Sequence, residues 1–248
     1  MSDLDSLKER PATGQPVLSA THVTKQFRVS GGQITAVDDV SVDFHAGKVL
    51  AVVGESGSGK STLARMLLRL MPVTSGTITY NGKDVTHIKG SELRGYWRDV
   101  QAVFQDPFSS FNQFYSVGQT LRRGMGAQGL EEETLDQLIE TCLGYVGLKP
   151  ADAVHKYPHQ LSGASLRVSA LNVLQDLRAN LGLTVLFITH DIGQACYLAD
   201  EVVVMEHGLI VERGTTDAVI FEPKNDYTKR LLADVPDLKG SLKVRKPS

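Results

Sequence analysis

Residues 53–63 read Val-Gly-Glu-Ser-Gly-Ser-Gly-Lys-Ser-Thr-Leu, a stretch that concentrates the residue types able to bind phosphate. Gly54, Gly59, Lys60 and Ser61 stand in the spacing G-x-x-x-x-G-K-S. Small residues let successive backbone N–H groups converge on anionic oxygens. Lys60 adds a full positive charge that can reach β- and γ-phosphates, and the Ser61 hydroxyl can ligate Mg²⁺. Such a loop needs a strand to deliver it and a helix to leave it, because the positive end of the helix faces the same anion.

Both elements are legible. Residues 49–54, "VLAVVG", are a continuous apolar run suited to a buried parallel strand. A helix is predicted from about Lys60 to Leu70. Upstream, "VLSATHVTKQFRV" (17–29) has strand character. In "AVDDVSVDF", Val40, Val42 and Phe44 alternate with Asp39, Ser41 and Asp43, as in a half-exposed strand. Asn81-Gly82 within "GTITYNGKDV" and His207-Gly208 within "EVVVMEHGLIVERG" predict hairpins. "DVQAVFQ" (99–105) and "LTVLFITHD" are further strand candidates, the second a buried one. The texture between 106 and 160 is helical. "EEETLDQLIETCLGYVGL" places Leu135, Leu138, Ile139, Cys142 and Leu143 on one face. An amphipathic helix is expected over 168–182, ending at Gly182. This pattern reads as an α/β core with an inserted helical lobe.

Bulk properties narrow the function classes. The chain has 248 residues, 42% hydrophobic and 22% charged, with a net charge of −2. Nothing in that balance points to nucleic acid as a partner. Two distant cysteines, Cys142 and Cys196, make neither a disulfide framework nor a zinc site. Residues 1–16 lack the pattern of a signal peptide and read as a loose arm. No apolar run has the length of a membrane span. The basic tail "KGSLKVRKPS" reads as disordered.

Four motifs in order, "VGESGSGKST", "VFQDPFSSFN", "YPHQLSG" and "LFITHD", resemble ATP-binding cassette (ABC) proteins. Within that family they most resemble the ATPase subunits of bacterial oligopeptide and dipeptide importers. The likeness covers about residues 17–235, including "AVDDVS" and "NDYTKRLLADVP". It implies a P-loop core of the RecA type with an antiparallel β subdomain, the cassette spanning 17–238, the helical lobe about 106–163, and a disordered tail at 239–248. It also implies ATP and Mg²⁺ as ligands. Residue by residue, Gly54, Glu55, Ser56, Gly57, Ser58, Gly59, Lys60, Ser61 and Thr62 match the Walker A loop. Phe27 stands where an aromatic stacks on adenine, and an ordinary strand aromatic is the alternative. Gln105 matches the Q-loop glutamine, which contacts Mg²⁺ or the attacking water. His190 matches the switch histidine at a strand end. Ser162 and Gly163 match the start of the signature that binds the γ-phosphate of another subunit's ATP. The implied partners are a second ATPase subunit, two membrane permease subunits and, indirectly, an extracytoplasmic solute-binding protein. The implied place is the cytoplasmic face of the inner membrane. Docking on the permease would fall around Gln105–Gln119, where Ser110, Phe111, Asn112 and Gln113 depart from the family's usual S-L-N-P.

One part of the pattern is missing. Hydrolysis in this family needs an apolar strand ending in Asp-Glu, where Asp holds the Mg²⁺ shell and Glu polarises water. No strand in this sequence ends so. Glu206 follows "VVVM" but enters a hairpin, and Asp191 belongs to the switch segment. Only 29 positions separate Leu161 from His190, and a helix, a strand and their loops, roughly 30 residues, are absent between them. Ala164-Ser165 therefore reads as a junction. The expectation is a sheet short of one interior strand, with hydrolysis weak or absent. Two alternatives stand beside an importer ATPase: an internally deleted family product that binds ATP at most, and a soluble P-loop ATPase unrelated to transport. Kinases lack the "LSG" and "FITHD" partners, and repair ATPases of this fold carry long insertions not found here.

Overall fold

The computed structural model describes residues 15–100, 114–126, 132–145, 148–157, 160, 183–190 and 192–233. Gln105, Ser162, Gly163, the Ala164-Ser165 junction, the helix expected over 168–182, most of the arm and the tail lie outside the described residues. So does the 99–105 strand candidate beyond Val100.

Two four-stranded sheets are built from strands within residues 15–100 and 183–233. Strands β1 (Pro16–Val29), β2 (Gly32–His45), β4 (Ser75–Tyr80) and β5 (Lys83–Asp84) form an antiparallel sheet in the order β2-β1-β4-β5. Asn81 and Gly82 take φ of 48° and 76°, the left-handed pair that a tight β4–β5 turn requires. The second sheet has the order β6-β3-β7-β8. Its strands are β3 (Val49–Val53), β6 (Val185–Ile188), β7 (Glu201–Glu206) and β8 (Leu209–Thr215). β3 runs parallel to both β6 and β7, and β8 returns antiparallel to β7 through His207-Gly208, at φ of 50° and 85°. All five residues of β3 are buried, as an apolar run between two parallel neighbours must be.

Helix α1 (Lys60–Leu67) leaves the loop after β3 and buries Leu63, Met66 and Leu67 at i, i+3, i+4 spacing. It ends earlier than expected, because Arg69 adopts a left-handed φ of 57°. Helix α2 (Gly90–Asp99) buries Tyr96, whose hydroxyl donates to the Leu67 carbonyl. These side chains join Val37, Phe44, Leu50, Val52, Ile78, Val203 and Met205 in one core shared by both sheets. Each large side chain so buried contributes about 1.5–3 kcal/mol.

The chain divides into two compact units, the second running from Val103 to Leu181. Its described helices are α3 (Val117–Gly126), α4 (Glu132–Tyr145) and α5 (Pro150–Ala153). Val117, Leu135, Ile139, Leu143 and Ala153 form its core. Leu138 departs from the sequence expectation and is 38% exposed. The stripe that faces the core is a narrow i, i+4, i+8 row through Leu135, Ile139 and Leu143, and Leu138 falls beside it. In the first unit follow α6 (Ile192–Leu198), α7 (Thr216–Phe221) and α8 (Asp226–Ala233).

A second departure concerns β6. Its four apolar residues are half-buried rather than buried. The reason is its place: among the described strands β6 has one partner, β3, and ends the sheet.

Candidate functional site: a phosphate-binding loop at the head of the parallel strands

Parallel strands bring their carboxyl ends to one edge, and the site is built there. Val52 pairs with Ile188 and Val53 with Val204. Two residues beyond Val52 the chain turns at Gly54, level in register with His190 after β6 and with Met205 near the end of β7. Gly54 has φ of 149°, and a Cβ on it would lie 2.2 Å from the Met205 carbonyl oxygen. Gly59 has φ of 103°, and a Cβ there would lie 2.4 Å from the Ala36 carbonyl oxygen. Only glycine permits both the turn and the approach. The loop is thus wedged between β7 on one side and β2 on the other. Gly208 completes the wedge, donating to the Ser58 carbonyl at 3.1 Å while accepting from Asp38 N–H at 2.9 Å.

Lys60 lies folded back into this loop. Its ammonium donates to the carbonyls of Gly54 and Glu55, both at 2.7 Å, and to Ser58 Oγ at 3.2 Å. The residue is 7% exposed. Burial lowers its pKa from the ordinary value, and the nearby Glu55 carboxylate works in the opposite direction. Behind it, Gly59 serves as the helix N-cap and has no side chain to accept from the first N–H groups of α1, which no helix can satisfy internally. A buried cation, uncapped helix N–H groups and a backbone held open by glycines suit a polyphosphate. The Ser61 side chain is exposed, Thr62 half-exposed, and Glu55, Ser56 and Gly57 form the outer lip.

For the metal the fit is narrower. Among the described residues no group of three His, Cys, Asp or Glu could hold an ion. Ser61 would offer one hydroxyl oxygen to Mg²⁺.

Of the other expected site residues, His190 is exposed one residue past Thr189, whose N–H donates to the Val52 carbonyl at 3.2 Å. That bond fixes the strand end from which His190 emerges. Phe27 is half-buried on β1, opposite Ile34 of β2, with Lys25 Nζ 5.4 Å from its ring centre. Its hairpin is the one that meets the loop at Ala36 of β2. Gln105, Ser162 and Gly163 lie outside the described residues.

The structure adds residues that motif spacing did not reveal. Glu55 N–H donates to the Tyr227 hydroxyl at 2.9 Å. Glu55, Glu206, Tyr227, Arg230, Leu231 and Ala233 line a cavity of about 470 Å³ beside the loop. The only sequence signal was "NDYTKRLLADVP" as a tail-end likeness, with no role attached.

Comparison with known proteins agrees with this geometry. Residues 37–181 match the family model described as ABC transporter. A peptide import ATP-binding protein of Brucella ovis is 32% identical over 255 positions, covering 90% of this chain and 80% of the relative. The dipeptide transport ATP-binding protein DppF of Lactococcus lactis is 35% identical over 238 positions, covering 83% and 76%. Among solved structures, cbiO1 of Clostridium perfringens, part of the ABC transporter complex cbiONQ, superposes with a TM-score of 0.71 at 21% identity, covering 92% of this chain and 99% of that one. A dimeric ATP-binding cassette bound to ADP and phosphate superposes with a TM-score of 0.72 at 19% identity, covering 80% and 98%. The Brucella alignment is longer than the whole chain, 255 positions against 248 residues. Ninety per cent of the chain is about 223 residues, so about 32 aligned positions hold a residue in the relative and none here.

Proposed function

This chain belongs to the ABC transporter family, as an ATP-binding subunit of the peptide-import type, and from that premise we propose that it binds ATP in the Gly54–Thr62 loop without hydrolysing it at an importer's rate. The observation that carries the binding half is the buried Lys60 ammonium, set among loop carbonyls at the uncapped start of α1. Phosphate oxygens would replace those carbonyls as its partners. Ser61 would add its hydroxyl to a Mg²⁺ that arrives with the nucleotide. His190, level with Gly54 at the strand ends, would approach the terminal phosphate, and Phe27 would flank the base. Gln105 would complete the metal shell, and Ser162-Gly163 would meet the nucleotide of a second subunit.

The hydrolytic half rests on what the sequence lacks. No strand ends in the Asp-Glu pair that holds the metal shell and activates water. About 32 residues' worth of the Brucella relative has no counterpart here, which matches the roughly 30 residues of helix, strand and loops expected between signature and switch histidine. The half-buried sheet-ending strand β6 is in keeping with a missing neighbour.

In assembly the chain would pair with a second ATPase subunit, identical or related. Through its helical unit it would dock on two membrane permease subunits, which an extracytoplasmic solute-binding protein supplies. As a subunit of that kind its place would be peripheral, on the cytoplasmic face; none of the described helices is long and apolar enough to cross a membrane. The test is a pair of measurements on one preparation: equilibrium binding of a fluorescent ATP analogue, and steady-state phosphate release beside a version carrying a restored Asp-Glu strand. Binding that Lys60→Ala weakens at least about tenfold, with turnover only in the restored chain, is expected. Equal turnover in both chains would overturn the hydrolytic half, and no binding by the unaltered chain would overturn the whole.

A further inference from the structure

The phosphate-binding loop is also held from a side that its own motif does not explain. Glu55 N–H, the first after the turn at Gly54, donates to the Tyr227 hydroxyl oxygen at 2.9 Å. Tyr227 lies in α8 and is 5% exposed. Its helix is firmly seated. The Glu212 carboxylate of β8 accepts from the N–H groups of Lys224 at 2.8 Å and Asn225 at 3.1 Å. Asn225 Oδ1 in turn accepts the N–H of Tyr227 at 2.8 Å. On the other flank, the Arg230 guanidinium lies 5.8 Å from the Tyr227 ring centre and 3.7 Å from Glu206 Oε1. Burial raises the Tyr227 phenol above its ordinary pKa of 10.0, so near neutral pH the oxygen remains a hydroxyl.

A loop that binds phosphate through backbone N–H groups gains affinity when those groups are already in place, because less ordering remains to be done on binding. Glu55 is the residue at which the loop leaves the strand. Fixing its peptide plane limits the orientations open to Ser56, Gly57 and Ser58 beyond it. We propose that Tyr227 is a positioning residue for the phosphate-binding loop, and that through it α8 is coupled to occupancy of the site. This rests on the reading of the loop as a nucleotide site. Coupling of this kind is reciprocal: if α8 preorganises the loop, a bound nucleotide protects α8.

Tyr227→Phe removes one oxygen and keeps the ring, so the core contact of α8 survives. Asn225→Ala leaves the hydroxyl but loosens the start of the helix. Both variants are compared with the unaltered chain by binding of a fluorescent ATP analogue and by amide hydrogen exchange, with thermal melting as the folding control. The expected result is an affinity about three- to tenfold weaker in both variants. Peptides covering 53–58 should exchange faster, at a melting temperature within a few degrees of the original. Nucleotide should slow exchange over 226–233 in the unaltered chain and less so in Tyr227→Phe. Equal affinity and equal exchange in Tyr227→Phe would overturn the proposal while leaving the nucleotide site intact. An unaltered chain that binds no nucleotide would instead overturn the reading of the loop, and exchange over 53–58 would then decide alone whether Tyr227 holds it.

Discussion

Gly59 occupies a left-handed conformation, with φ of 103°, and backs onto the Ala36 carbonyl. A methyl group there would strain the backbone and meet an oxygen that cannot step aside, since Ala36 is fixed within β2. Gly59→Ala is therefore expected to lower stability by about 2 kcal/mol or more, read as a fall in the urea midpoint of the first unit. The loop that holds Gly59 and Lys60 was legible in advance, because the spacing of a phosphate loop is local and its residue types are few. Tyr227 was not. Its bond to Glu55 spans 172 positions, and no periodicity or short motif reaches so far. His190 stands between these cases: the strand before it was readable as an apolar run, but its level with Gly54 follows from the pairing of Val52 with Ile188.

At the scale of elements, α8 shows how a short helix can be tied down by one carboxylate. Burial pushes the Glu212 pKa up, but the N–H groups of Lys224 and Asn225 pull it down further, leaving it below the ordinary 4.5. The folded chain then holds this proton less tightly than the unfolded one, so the contribution to stability is complete above about pH 4.5 and fades as pH falls through the lower folded value. Melting temperatures of Glu212→Gln and the unaltered chain should differ by a constant amount from pH 7 to about 5 and draw together as pH falls below 4.5. A gap that does not narrow at all on acidification would show that the carboxylate charge is not what seats the helix. Hairpins were the most legible elements, because Asn81-Gly82 and His207-Gly208 supply the left-handed residues that tight turns demand. The half-burial of β6 was not legible, since Val-Leu-Phe-Ile reads alike at the middle of a sheet and at its end.

At the scale of the molecule, the described residues of the helical unit have a core of their own, Val117, Leu135, Ile139, Leu143 and Ala153, separate from the core that α1 and both sheets share. Truncating Leu135 to Ala removes about 2–5 kcal/mol, a large share of the stability of a domain. Amide exchange in that variant should accelerate over 132–145 while 49–53 stays protected. Uniform acceleration would mean that the two units share one cooperative transition. The α/β class and the helical insertion followed from the change of texture after Phe104. The order of the strands did not, because sheet order is a property of pairing and not of any one segment. That order has a consequence beyond stability. Among the described strands the sheet stops at β6, on four apolar, half-buried residues. Natural sheets blunt their margins with lysine, proline or a bulge, and this strand carries none of them. Such a margin is a template for a strand from another molecule. A margin of this kind, left uncovered, would be felt first as lost solubility that grows with protein concentration, and as longer retention by chaperones, before any change in melting temperature.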